Sequence, residues 1–132
     1  MNEDARDRDI EEDDFREAIT RFNKMVKNET SDYFDVFEVE GIIDHFLEEG
    51  EILLAHQAVE TGLKIHPGAI SIQIRKAQVL MHEGNLEECL ELLSVAEKIE
   101  TTNPELYLTK GAALNLLGDV NEAIKAYEHA LT

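Results

Sequence analysis

The sequence predicts an all-α fold of three 34-residue helix–turn–helix repeats behind an N-terminal capping helix, and three observations predict it. Gly50, Gly84 and Gly118 lie 34 residues apart. Three more columns keep that spacing: Ala55, Cys89 and Ala123, then Val59, Leu93 and Tyr127, then Gly62, Ala96 and Ala130. Between the glycines the apolar residues recur at a period near 3.6, as they do on an amphipathic helix. The composition is compatible, since 43% hydrophobic residues in 132 can bury a core without disulfides or metals.

Each element has its own signal. Residues 1–14 hold eight acids, two arginines and few apolar side chains, so burial cannot offset the entropy of ordering them; they are expected to be a solvated, disordered acidic tail. Phe15, Ile19, Phe22 and Val26, with Ala18 and Met25 beside them, form a helical stripe opened by Asp14 and Glu17, which predicts a capping helix over 15–28. Six further helices are expected at 36–49, 52–65, 70–83, 86–99, 104–117 and 120–131. They group into repeats at 36–69, 70–103 and 104–132.

Asp35 with Glu38 opens the first of these helices. Asn103 followed by Pro104 opens the fifth, because the first helical position has no use for the donor that proline lacks. Each periodic glycine should end a helix in the left-handed conformation. Asn85 with Glu88 and Asp119 with Glu122 read as capping boxes for the helices that follow, while the first repeat, with Leu54 in the glutamate column, lacks one.

Charge excludes several function classes. Asp and Glu number 29 against 12 Lys and Arg, and the formal net charge of −17 repels nucleic-acid phosphates and anionic lipid headgroups. Nucleic-acid and membrane partners are therefore not expected. No apolar run approaches a membrane span, no secretory leader is visible, and one cysteine, Cys89, cannot form an internal disulfide, so the expected compartment is the cytoplasm.

With these columns in place, the chain from 36 to 132 resembles the tetratricopeptide repeat (TPR) family. The third repeat carries most of the likeness, with Tyr107, Gly111, Leu114, Ala123, Tyr127 and Ala130 in the family's tryptophan, glycine, tyrosine, alanine, phenylalanine and second alanine columns. Lys110 departs at the leucine column. The second repeat places Gln73, Lys76, Ala77, Leu80, Cys89, Leu93 and Ala96 there. The first places Val39, Ile42, Phe46, Ala55, Val59, Gly62 and Pro67, with Ile43 in a column that is normally small.

The resemblance implies a right-handed α–α superhelix, a TPR solenoid, with a concave groove lined by the first helix of every repeat. The family's groove columns fall on Phe37, Glu40, Asp44, Leu47 and Glu48, then on Ser71, Ile74, Gln78, Met81 and His82, then on Glu105, Leu108, Ala112, Asn115 and Leu116. The lysine, arginine and asparagine cluster by which some members hold a C-terminal carboxylate is absent; only Arg75, Lys76 and Lys110 lie nearby. The implied partner is a protein or peptide, as an amphipathic helix or extended segment with basic and apolar residues. A competing reading makes Ile74 and Leu108 core between neighbouring repeats.

No chemistry of an enzyme is expected, and no metal or cofactor. Glu40, Asp44 and Glu48 share one helical face, and His45 with Glu49 the next. One straight helix cannot wrap an ion, however. The five histidines fall in five different columns with no zinc-ligand spacing, Cys89 takes a small-residue column, and there is no phosphate loop or nucleophile elbow. The function expected is a non-catalytic scaffold for protein–protein interaction. The alternative is a structural or self-assembly module, part of a longer array. It rests on Ile124, Tyr127 and Leu131, which no later helix covers before the sequence stops at Thr132. Either the array continues in a longer protein, or two copies meet through this last helix.

Overall fold

The structure is a computed structural model that describes the backbone of residues 3–132 and the side chains of residues 15–132. The helix expected from residue 15 begins at Glu3, so the backbone of residues 3–14, expected as a solvated tail, belongs to that helix, while the side chains of residues 1–14, Asp14 among them, lie outside the described residues. Seven helices and no strand occur among the described residues. They are α1 (Glu3–Asn28), α2 (Val36–Glu48), α3 (Ile52–Ile65), α4 (Ile70–His82), α5 (Leu86–Ile99), α6 (Pro104–Leu116) and α7 (Val120–Ala130). Ends for α2 to α7 fall within one residue of those expected. The chain divides into two compact units, Met1–Pro67 and Gly68–Thr132.

The pairs α2/α3, α4/α5 and α6/α7 each pack as a hairpin. Their turns share one mechanism. Gly50, Gly84 and Gly118 have φ of 73°, 84° and 87°, a region that costs other residues about 1 kcal/mol. The amide after each glycine donates back five residues, Glu51 to Phe46, Asn85 to Leu80 and Asp119 to Leu114, at 2.8, 2.8 and 3.0 Å. The glycine amides donate to Leu47, Met81 and Asn115. This double closure satisfies carbonyls that a helix end leaves orphaned.

The caps of the following helices depart from expectation. Asn85 makes no side-chain cap, and Asp119 accepts from the Glu122 amide at a long 3.4 Å while Glu122 itself turns to Lys125 at 3.1 Å. The reason is conformational. Each of these residues also closes the preceding helix, which holds ψ at 65° and 73° rather than in the extended region, so Asn85 does not reach the first turn and Asp119 reaches it only at long range. Asp35, at ψ 171°, is free of that duty and forms a full capping box: its Oδ1 accepts from the Glu38 amide at 2.7 Å, and its amide donates to Glu38 at 3.1 Å. Asn103 likewise accepts from the Glu105 amide at 3.0 Å ahead of Pro104.

In the first unit α1 packs on α2. Phe15 lies on Gly41, where any Cβ would overlap its ring, and stands 5.0 Å from Phe37. Phe22 sits between Phe34 and Phe46 at centroid distances of 6.2 and 5.7 Å. In the second unit one core joins Ile74, Ala77 and Leu80 of α4, Cys89, Leu93 and Ala96 of α5, and Leu106, Tyr107 and Ala113 of α6. At Gly111 a Cβ would come within 2.6 Å of the Tyr127 ring, so α6 and α7 approach as closely as they do because that column is bare.

Candidate functional site

The residues expected to line a groove lie on α2 in the first unit and on α4 and α6 in the second. On α2, Phe37 is exposed although its ring leans on Phe15; Glu40, Asp44 and Leu47 are half-buried, and Glu48 is exposed. The spacing 37, 40, 44, 48 keeps these on one face of the helix. That face presents three carboxylates beside apolar surface.

In the second unit Gln78 of α4 ties the two lining helices together. Its amide donates to the Thr109 hydroxyl at 3.2 Å and to Glu105 at 3.5 Å. Thr109 is buried and donates to the Glu105 carbonyl at 2.9 Å, so neither polar group is left unsatisfied by the close approach. Beside this bridge Leu108 and Leu116 are 50% and 63% exposed, two turns apart, with half-buried Ala112 between them and exposed Asn115 alongside. They form an apolar ridge along α6. Ser71 and Met81 are half-buried and His82 is exposed.

Ile74 is a correction. It is 1% exposed and belongs to the α4–α5–α6 core, so it cannot meet a partner. Leu108, the other residue for which core was the competing reading, stands in solvent. The two stand in one column of the repeat, and the difference lies in what packs on them: α6 of the next hairpin covers α4 at Ile74, whereas among the described residues no further hairpin packs on α6 at Leu108.

Of the cations near this face, Arg75 donates to the Ser71 carbonyl at 3.2 Å. Lys110 pairs with Glu97 of α5 at 3.1 Å. Tyr107 of α6 donates its hydroxyl to the Thr101 carbonyl at 2.6 Å and stacks on His129 at 3.8 Å. Burial, reinforced by the Glu97 carboxylate, raises the Tyr107 pKa. Among the described residues no group of three or more His, Cys, Asp or Glu is placed to hold a metal ion, and no helix is long and apolar enough to cross a membrane.

Sequence reasoning missed the residues that fix segment 29–35. Arg21 of α1 donates to Glu17 at 2.7 Å, Asp32 at 3.2 Å, Glu38 at 2.5 Å and the Tyr33 carbonyl at 3.0 Å, while its guanidinium lies 4.7 Å over the Phe34 ring. Burial works against its charge, but the hydrogen bonds to Glu17 and Asp32 and the charge of Glu38 outweigh it and raise its pKa. His66, just beyond α3, donates to the Phe34 carbonyl at 2.8 Å. One signal was available: no lysine or arginine occurs between Lys27 and Lys64, so the acids of that stretch must look outside it for a cation.

Compared with protein-family models and with curated proteins, the chain matches none.

Proposed function

We propose that this protein is a non-catalytic scaffold that binds a segment of another protein along the first helices of its hairpins. The observation that carries the proposal is the α6 ridge. Leu108 and Leu116 stay in solvent on a helix whose Leu106, Tyr107 and Ala113 are buried, so the sequence holds back apolar surface that folding alone would hide. The resemblance to tetratricopeptide repeats puts that ridge in a groove of a right-handed superhelix. The matching chemistry at the α6 ridge is an amphipathic helix or extended segment with apolar anchors for Leu108 and Leu116; the acids on α2, in the other unit, call by themselves for basic residues. The net charge argues against nucleic acid or an anionic membrane as the partner, and the proposed location is the cytoplasm.

The test is a pull-down that compares the wild-type chain with a variant carrying both Leu108→Lys and Leu116→Lys. Both positions are exposed, so helicity and thermal midpoint should stay unchanged, and a bound protein should be lost from the variant only. Recovery of the same proteins by both baits would remove the ridge from consideration. A second reading, self-assembly, is favoured by α7, on which Val120, Ile124 and Tyr127 stay exposed.

A further inference from the structure

On α1 the charge runs against the trend of the molecule. Residues 15–28 hold four bases, Arg16, Arg21, Lys24 and Lys27, and one acid, Glu17, while the rest of the chain holds eight bases and 28 acids. Arg21 is committed to Glu17, Asp32 and Glu38. The other three bases point elsewhere. Arg16, Thr20, Asn23, Lys24 and Lys27 recur at i, i+4, i+7, i+8 and i+11, one exposed face of the helix, opposite the stripe of Ala18 and Phe22 that is buried. Among the described residues Lys24 and Lys27 have no hydrogen-bond or ion-pair partner. A shallow, open depression of about 500 Å³ on this helix is lined by Arg16, Glu17, Thr20, Arg21 and Lys24.

The ordinary reasons for a base on a helix account for little of this stripe. The macrodipole favours cations within the last turn, which covers Lys27 but neither Arg16 nor Lys24. Pairing along the helix is not the reason, since the positions four residues before Lys24 and Lys27 hold Thr20 and Asn23 rather than acids. Solubility needs no cations in a chain whose net charge is already −17. We propose that this face of α1 is a docking surface for an acidic segment of another protein. Its carboxylates would meet Arg16, Lys24 and Lys27, with Thr20 and Asn23 offering hydrogen bonds between them. Reach selects this occupant among anionic partners. The stripe spans about 16 Å of helix, and N-terminal to it the same helix continues through residues 3–14, which hold eight acids and two arginines. A short acidic segment fits within the stripe, whereas nucleic acid or an anionic membrane extends past it onto those acids. The surface is separate from the acids of α2, which call for the opposite charge.

Fluorescence anisotropy with a labelled peptide of alanine and glutamate, its glutamates spaced four residues apart, tests this. The wild-type chain should bind the peptide saturably at low salt and lose affinity as sodium chloride rises. Lys24→Glu together with Lys27→Glu should weaken binding by at least about tenfold, with circular dichroism unchanged because neither side chain has a partner to lose. Lys24→Arg with Lys27→Arg should keep it. Lys64→Glu with Lys98→Glu makes the same change of net charge at exposed lysines on α3 and α5 and should leave binding unaltered. A wild-type chain that does not bind the peptide overturns the proposal. Equal loss in the α3 and α5 variant overturns it too, since net charge alone would then explain the effect. Duplex nucleic acid or anionic vesicles bound through Lys24 and Lys27 as tightly as the peptide would overturn the choice of an acidic protein segment.

Discussion

Cys89 stands in the column that Ala55 and Ala123 occupy in the other two repeats, fully buried between α4 and α6. Burial pushes its thiol from an ordinary 9.0 up to about 11, because a thiolate there would lose its hydration and gain no partner. The folded state therefore holds the proton more tightly than the unfolded chain does. This stabilisation is present in full below pH 9 and is lost as pH rises from 9 toward 11. Urea unfolding of the wild type should show a decline in that window which is absent from Cys89→Ala. The comparison of the two proteins cancels the lysines and tyrosines that titrate in the same range. A thiol reagent at neutral pH should likewise modify the unfolded chain far faster than the native one.

At the scale of elements, the two kinds of helix start respond differently to the same change. Asp35→Ala should lower stability by about 1 kcal/mol, since it removes an N-cap acceptor and leaves Glu38 without its capping role. Asn85→Ala should cost much less, because Asn85 makes no cap with its side chain. Equilibrium denaturation of both variants decides the matter. The contrast also marks where the sequence was legible. Helix ends could be read to within one residue because a left-handed glycine is a local requirement, written at Gly50, Gly84 and Gly118 and independent of what packs nearby. The full capping boxes at Asn85 and Asp119 could not, because how closely a side chain reaches the first turn depends on a ψ set by the preceding helix: Asp119 accepts from the Glu122 amide only at 3.4 Å and Asn85 makes no cap. The same limit hid Ile74 and Arg21. Column position gives a residue's phase but not whether a neighbouring hairpin covers it, as α6 covers Ile74 of α4, and the four acceptors of Arg21 are drawn from α1, α2 and the segment between them.

Across the whole molecule, a net charge of −17 makes the surface repel itself. The ion pairs that oppose this repulsion are local and partly exposed, and such pairs contribute little each. Sodium chloride should therefore raise the thermal midpoint, because screening of the general repulsion outweighs weakening of these pairs; a midpoint that falls with salt would mean that the Arg21 network carries more of the stability than its exposure suggests. The close approach at Gly111 has a consequence of a different kind. Along the repeat, the column of Gly111 holds Ala77 and Ile43, and the column of Tyr127 holds Leu93 and Val59. As one member grows from glycine to alanine to isoleucine, the member facing it shrinks from tyrosine to leucine to valine. The two columns thus vary in opposite directions along the repeat. Evolution of this interior, and any redesign of it, proceeds by matched couples: a residue moved alone from one hairpin to another would be too large or too small, whereas the two moved together carry their fit with them.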